Sequence, residues 1–116
     1  MLGLDDLQVI HPPGQHGDKR QLAADYQACL SGSDLTFVVE PEGCRSNYWL
    51  NAVICGDSKQ RDELIKVTNE NGVMTRPIWQ LMNRLPMYQR APAGELENAV
   101  WLEERVVNLP SGVRPA

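Results

Sequence analysis

The sequence predicts an α+β domain in which a small antiparallel sheet has helices packed on one face. Two observations favour this class. Segments with a helical period and segments with a strand period follow one another without the regular alternation of a parallel sheet. The chain has 116 residues, which suits one domain around one core, and no internal repeat is visible.

The first helix is predicted to begin at Asp18, a residue type that caps helices, and to end before Gly32. Apolar residues recur within it at spacings of three and four. They are Leu22, Tyr26, Cys29 and Leu30.

The second helix is predicted to follow the capping pair Asp57-Ser58 and to stop at Asn71-Gly72, where glycine permits a left-handed turn. Its apolar side is formed by Leu64, Ile65 and Thr68. A third helix is predicted over residues 95–104. Its inward-facing residues are expected to be Leu96, Val100 and Trp101.

Four strands are predicted over residues 35–39, 47–55, 73–77 and 106–109, with a short helical turn near residues 81–84. Pro41 and Gly43 close the first strand, and Pro110 closes the last. In the second strand, alternate residues should line a drier and a wetter face.

Residues 1–17 differ from the rest, because residues 11–17 concentrate proline and glycine. We therefore divide the chain into a leader or linker, 1–17, and a domain, 18–116. Both histidines, His11 and His16, lie in this leader. They could bind a metal, but no cysteine or carboxylate cluster completes a site there, so an ordinary loop is favoured.

The composition excludes several classes of partner. The formal net charge is −4 and the charges are interleaved, which argues against nucleic acid or an anionic membrane. No apolar run approaches the roughly 20 residues that cross a bilayer. The first residues lack the features of a secretory signal, and the odd set Cys29, Cys44 and Cys55 does not suggest a disulfide framework. A cytoplasmic protein is expected.

No catalytic constellation is visible in the sequence. There is no nucleophile with a base, no paired carboxylates and no metal cluster. The acidic residues Glu40/Glu42 and Glu103/Glu104 look like solvated edges. The three lysines, Lys19, Lys59 and Lys66, fall at the start or on the exposed faces of predicted helices.

Two segments carry a resemblance to a known family. Residues 44–51 read CRSNYWLN and residues 75–88 read TRPIWQLMNRLPMY. Together they resemble the C-terminal small domain of DegT-type, pyridoxal-phosphate-dependent sugar-nucleotide aminotransferases. The branch they resemble most aminates 4-keto sugar nucleotides on the way to bacillosamine-, legionaminic-acid- or perosamine-like sugars. The similarity runs from about residue 19 to residue 112.

The resemblance implies the small-domain fold of fold-type-I aminotransferases, which closes over the substrate. It implies that the coenzyme and its covalently bound lysine belong to a preceding large domain, so we expect no cofactor in this chain. Carried over to this sequence, Arg76 would contact an anion or hydroxyl, and Trp79 and Tyr88 would present flat surfaces to a sugar or base ring. Asn83 stands where the family often has a histidine, so it would hydrogen-bond without transferring a proton.

Structural alternatives remain open at these positions. Trp49 and Trp79 are more often core residues than ligand platforms. Arg76 could pair with Glu40 or Glu42. The segment 45–47 could be turn chemistry alone, because Ser and Asn bond their own backbone in such loops.

We therefore expect a C-terminal domain fragment of a 4-keto sugar-nucleotide aminotransferase that is not catalytic alone. One alternative is a free-standing binding or oligomerisation module. Another is one half of a split enzyme that pairs with a large-domain chain. The expected partners are a sugar nucleotide, a large-domain chain or a second copy of this chain, and neither nucleic acid nor a membrane.

Overall fold

The computed structural model describes residues 16–112, with side chains described from Lys19 onward. Three helices, four strands and two 3-10 turns follow one another in this range. They are α1 (His16–Leu30), β1 (Thr36–Phe37), β2 (Asn51–Ile54), α2 (Ser58–Glu70), β3 (Arg76–Pro77), turns Met82–Arg84 and Pro86–Tyr88, α3 (Glu97–Glu103) and β4 (Val106–Leu109). The predicted α+β class with a small antiparallel sheet is confirmed.

The four strands form one antiparallel sheet in the order β1-β2-β4-β3. The last strand in sequence therefore lies between the second and the third. Phe37, Val53 and Val107 are aligned across β1, β2 and β4, so their side chains share one face of the sheet. That face carries the core.

Helices α1 and α2 both contribute to the core on this face. Leu22, Tyr26 and Leu30 of α1 are buried there, and Leu64 and Ile65 of α2 pack against the same cluster. Tyr26 also donates from its Oη to the carbonyl oxygen of Pro110, at 2.6 Å, which ties α1 to the residue after β4. The helices thus cover the sheet on one side.

The helix boundaries follow local signals. Asp57 caps α2 by accepting the backbone N–H of Gln60 at 2.8 Å, and Gly72 takes a φ of 81°, which a residue with a side chain rarely adopts. At the other helix, α1 already includes His16, so Asp18 lies inside its first turn and not at the N-cap. This part of the prediction was wrong.

The predicted second strand was too long. β2 begins at Asn51, because Tyr48 has a φ of 48° and Asn47 accepts the N–H of Trp49 at 3.0 Å in a side-chain turn. Both features break the extended backbone that a ladder requires. Within β2 the drier face is formed by Asn51 and Val53, and Cys55, the residue after the strand, is buried as well.

Trp101 was predicted to face inward, and this was wrong. It is 46% exposed, and the guanidinium of Arg105 lies over its ring at 4.5 Å. Leu96 and Val100 are half-buried, as expected for the inner side of α3.

The remaining sequence predictions concern the cysteines and the leader. None of Cys29, Cys44 and Cys55 forms a disulfide bond, and burial raises the pKa of the Cys55 thiol. Within the described part of the chain, no helix has the length and apolar character to cross a membrane. Most of the leader 1–17, including His11, lies outside the described residues, as does the side chain of His16.

Candidate functional site

Arg76 is the first residue of the short edge strand β3, and contacts from α2 hold the residue that precedes it. The preceding residue, Thr75, is fully buried, and its Oγ1 lies 2.6 Å from Oγ1 of Thr68. Asn69 donates from Nδ2 to the carbonyl oxygen of Thr75 at 3.1 Å. These contacts determine where the backbone of Arg76 leaves the α2 turn and joins the sheet.

Arg76 projects from the face of the sheet that does not carry the core. In the ladder it is aligned with Asn108, the neighbour of core-facing Val107, and successive side chains of a strand point to opposite faces. Ala52 and Ile54 of β2 share this face and are half-buried. The guanidinium therefore lies on a surface opposite α1 and α2.

The side chain of Arg76 is exposed and forms no hydrogen bond or ion pair with any described residue. The alternative pairing with Glu40 is wrong, because both carboxylate oxygens of Glu40 bind the guanidinium of Arg20, at 3.0 and 2.8 Å. Glu42 is exposed and also makes no such contact with Arg76. An arginine without a partner retains its full capacity to bind an anion.

The other predicted site residues follow Arg76 along the chain. Trp79 is 73% exposed, Asn83 lies in the first 3-10 turn and is exposed, and Tyr88 ends the second turn at 42% exposure. The core alternative for Trp79 is therefore wrong, and so is that for Trp49, which is 64% exposed. Among the described residues, no hydrogen bond or ring contact joins the four predicted site residues to one another.

The segment that carries these residues differs in charge from the rest of the chain. Residues 71–94 contain three arginines and no Asp or Glu, although the whole chain has a net charge of −4. Arg84 is bound to Glu103 at 3.1 Å, whereas Arg76 and Arg90 form no ion pair within the described range. The segment therefore carries both unneutralised positive charge and exposed aromatic rings.

The loop between β1 and β2 is held by an ion pair from α1. In addition to binding Glu40, Arg20 donates to the carbonyl oxygen of Ser46 at 2.7 Å, and its guanidinium lies 5.5 Å from the centre of the Tyr48 ring. The Ser46 N–H donates to Glu40 at 2.6 Å. The hydrogen bonds from Arg20, together with that from the Ser46 N–H, lower the pKa of Glu40 to about 2.

This network maintains an unusual backbone conformation. Tyr48 is the one non-glycine residue of the described range with a positive φ, and its hydroxyl accepts the backbone N–H of Glu40 at 3.0 Å. Such conformations cost about 1–3 kcal/mol and persist only where surrounding contacts enforce them. The turn chemistry predicted for residues 45–47 is present, since the Tyr48 N–H bonds Ser46 Oγ at 3.0 Å.

The described lysines do not fit a pyridoxal phosphate site. Such a site needs a lysine close to the cofactor, a carboxylate for its ring nitrogen and a cradle for its phosphate. Lys19 donates from Nζ to the backbone carbonyl of Ser111, while Lys59 and Lys66 are exposed on α2. No step of the chemistry is therefore assigned to these residues. Within the described range there is also no cluster of three His, Cys, Asp or Glu side chains that could hold a metal.

Sequence reasoning does not identify two functional candidates, Glu103 and Arg20. Glu103 has a side chain only 13% exposed and binds Arg84 and the Leu81 N–H. Arg20 organises the loop before β2. The sequence does contain a signal for Glu103. An acidic residue in the last turn of a helix is unfavourable beside the helix dipole, so its presence there indicates a compensating contact. For Arg20 the sequence contains no such signal, because its partner lies 20 residues away.

Comparison with known proteins identifies the family. A model of the DegT/DnrJ/EryC1/StrS aminotransferase family matches residues 4–114, and the chain belongs to this family. The matched range begins inside the leader 1–17. A GDP-perosamine synthase from Vibrio cholerae is 31% identical over 98 residues, which span 80% of this chain and 26% of that protein.

A solved structure agrees with this assignment. The aminotransferase TlmJ from Streptoalloteichus hindustanus matches with a TM-score of 0.71 and 25% identity, over 81% of this chain and 25% of the other. The chain thus spans about a quarter of the length of each of these two proteins. The resemblance inferred from residues 44–51 and 75–88 is confirmed.

Proposed function

We propose that the chain is the small domain of an aminotransferase acting on 4-keto sugar nucleotides, and that it binds and orients the sugar nucleotide but does not transaminate alone. The observation that carries this proposal is Arg76. Its guanidinium is exposed and unpaired among the described residues, in a segment without acidic residues. A guanidinium in that setting can hold a phosphate oxygen pair with two parallel hydrogen bonds.

The neighbouring residues suit the rest of such a ligand. Trp79 and Tyr88 offer flat, exposed apolar surface to a sugar or base ring. Asn83 offers one amide donor group and one acceptor to a sugar hydroxyl, and an amide does not act as a general acid or base near neutral pH. The name of the matching GDP-perosamine synthase refers to a nucleotide-linked sugar, which supports this class of ligand.

The proposed lack of activity rests on the lysines and on the length of the matched region. Lys19 is engaged by a backbone carbonyl, and the chain corresponds to about a quarter of either matched protein. Pyridoxal phosphate and its lysine would then belong to protein outside this region, as a further part of the same polypeptide or as a separate large-domain chain. A second copy of this chain is a further proposed partner. The cytoplasmic location stays a prediction.

The second candidate is a binding or oligomerisation module without an enzymatic partner. The exposed Trp49 and Trp79 favour it, because exposed large apolar side chains are typical of interaction surfaces. The neighbouring DNA distinguishes the candidates. An adjacent reading frame that encodes the large domain would favour the split enzyme. Binding of a sugar nucleotide with no such frame would favour the module.

The proposal is tested by titrating the chain with UDP-glucose, dTDP-glucose and GDP-mannose, followed by tryptophan fluorescence and chemical shifts. We expect a dissociation constant near 1 mM, which corresponds to a binding free energy of about 4 kcal/mol, because in the proposed enzyme the large domain supplies much of the pocket. Arg76→Ala should abolish the response, and Arg76→Lys should retain part of it, since an ammonium keeps the charge without the fork.

Lys66→Ala provides the charge-matched control, because Lys66 is exposed on α2, which packs on the face of the sheet opposite the one from which Arg76 projects. It should bind like the wild type. Arg76→Ala should change the free energy of unfolding by less than about 1 kcal/mol, as expected for an exposed side chain. If it unfolds the domain, or if the wild type responds to none of the three nucleotide sugars, the binding role of Arg76 is wrong.

A further inference from the structure

The segment between β3 and α3 contains no fully buried residue. Its most enclosed apolar residues, Ile78, Leu81, Leu85 and Leu96, are half-buried, and Trp79, Met82 and Met87 are among the most exposed large apolar residues of the described range. Packing therefore contributes less to its position than it does in the core. Polar contacts supply much of the remaining attachment.

Those contacts converge on one side chain. Within residues 79–95 the backbone hydrogen bonds are internal to the segment, as in the bond from Arg84 N to Leu81 O at 3.0 Å. Two side-chain polar contacts connect this segment to the rest of the described chain. The Leu81 N–H donates to Oε2 of Glu103 at 2.6 Å, and Nη1 of Arg84 binds Oε1 of Glu103 at 3.1 Å.

The backbone of Glu103 is in turn held by α2. It is the last residue of α3, and its backbone carbonyl oxygen accepts Nη1 of Arg61 in α2 at 2.9 Å. β4 begins three positions later, at Val106, in the interior of the sheet. Glu103 is thus held by α2 and lies next to β4, and its carboxylate binds the loop on both sides of Asn83.

We propose that Glu103 is a positioning residue, the polar anchor that holds Trp79, Asn83 and Tyr88 in place for ligand binding. The anchoring of the loop is inferred from the contacts of Glu103. Its effect on ligand binding rests on the proposed function. An anchored loop does not have to be ordered when the ligand arrives, so loss of the anchor should lower affinity without removing any ligand contact.

The test compares Glu103→Ala with Glu104→Ala, since Glu104 is the adjacent acidic residue, and its half-exposed side chain binds only Arg105 among the described residues. Amide hydrogen exchange is measured by NMR. Glu103→Ala should raise the exchange rate of the Leu81 amide by about tenfold, while the amides of Val53 and Val107 stay protected. Glu104→Ala should leave the Leu81 rate unchanged.

Glu103→Gln separates the two contacts of Glu103. Its remaining oxygen can still accept the Leu81 N–H, but the neutral amide no longer pairs with Arg84. We expect exchange of Leu81 between that of the wild type and that of Glu103→Ala. The same order should appear in the dissociation constant for the nucleotide sugar that binds best, with a loss of about fivefold for Glu103→Ala.

The outcomes separate this inference from the proposed function. Unchanged Leu81 exchange in Glu103→Ala, or equal loss of protection at Leu81, Val53 and Val107, would overturn the anchoring role. Faster Leu81 exchange with unchanged affinity would overturn the positioning role. A wild-type chain that binds no nucleotide sugar would overturn the proposed function, while the exchange data would still decide whether Glu103 anchors the loop.

Discussion

The hydroxyl pair of Thr68 and Thr75 allows a quantitative test of how α2 fixes the start of β3, and with it Arg76. The two side chains are 1% and 0% exposed, and their Oγ1 atoms lie 2.6 Å apart. Oγ1 of Thr68 is also 2.7 Å from the carbonyl oxygen of Leu64, which can only accept. Thr68 therefore donates to that carbonyl. Thr75 donates to Thr68 and accepts from Nδ2 of Asn69 at 3.2 Å.

Valine has nearly the shape of threonine, so each substitution removes a hydroxyl without opening a cavity. Thr68→Val leaves the buried hydroxyl of Thr75 without its acceptor, which should cost about 1–3 kcal/mol. Thr75→Val keeps the bond of Thr68 to the backbone and should cost about 1 kcal/mol. The double variant leaves no orphaned hydroxyl and should cost no more than Thr68→Val alone, which corresponds to a coupling of about 1 kcal/mol.

Urea unfolding, followed by tryptophan fluorescence, measures these free energies, and the m-value should stay constant. Each 1 kcal/mol corresponds to a drop of about 4 °C in Tm for a domain of this size. Thr36→Val serves as the control, because Thr36 is exposed on β1 and should be near neutral. Additive costs in the double variant, or a larger cost for Thr75→Val than for Thr68→Val, would refute the assignment of donors.

Three further outcomes are expected. The pKa of Glu40 is lowered from 4.5 to about 2 in the folded state, so its contribution to stability is present above pH 4.5 and disappears as the pH falls toward 2. Glu40→Gln should flatten the pH dependence of unfolding in that window, and an unchanged curve would contradict the role of the Arg20 contact. Titration with pyridoxal phosphate should give no stable absorbance band at roughly 410–430 nm. A band that maps by mass spectrometry to one of Lys19, Lys59 or Lys66 would show that the chain holds the coenzyme. The chain should also self-associate through its exposed apolar residues, and a strict monomer in sedimentation at high concentration would count against this.

The sequence was most informative where the determining contact is local. Asp57 and Gly72 were predicted as the ends of α2, because a cap and a left-handed glycine act within one turn of the chain. β4 was predicted at residues 106–109, since Pro110 cannot donate to a ladder. The family resemblance was also available from the sequence, because it rests on short motifs and not on packing.

The site was predictable only in part. The sequence indicated Arg76 as an anion contact but left open a pairing with Glu40 or Glu42. Whether Glu40 is available to Arg76 depends on Arg20 of α1, which binds both carboxylate oxygens of Glu40 in the folded structure. Whether Trp49 and Trp79 are buried depends on what packs against them, and a pattern of residue types does not contain that information.

The sequence by itself determined the α+β class, the ends of α2 and the family, because these follow from periodicity, capping and local motifs. The tertiary structure alone decided that β4 lies between β2 and β3, that Tyr48 turns out of the strand, and that Glu103 grips the loop around Asn83. The physical reason is separation along the chain. Leu81 and Glu103 are 22 positions apart, and Tyr26 and Pro110 are 84 apart. Such contacts arise only when the whole core brings distant segments together.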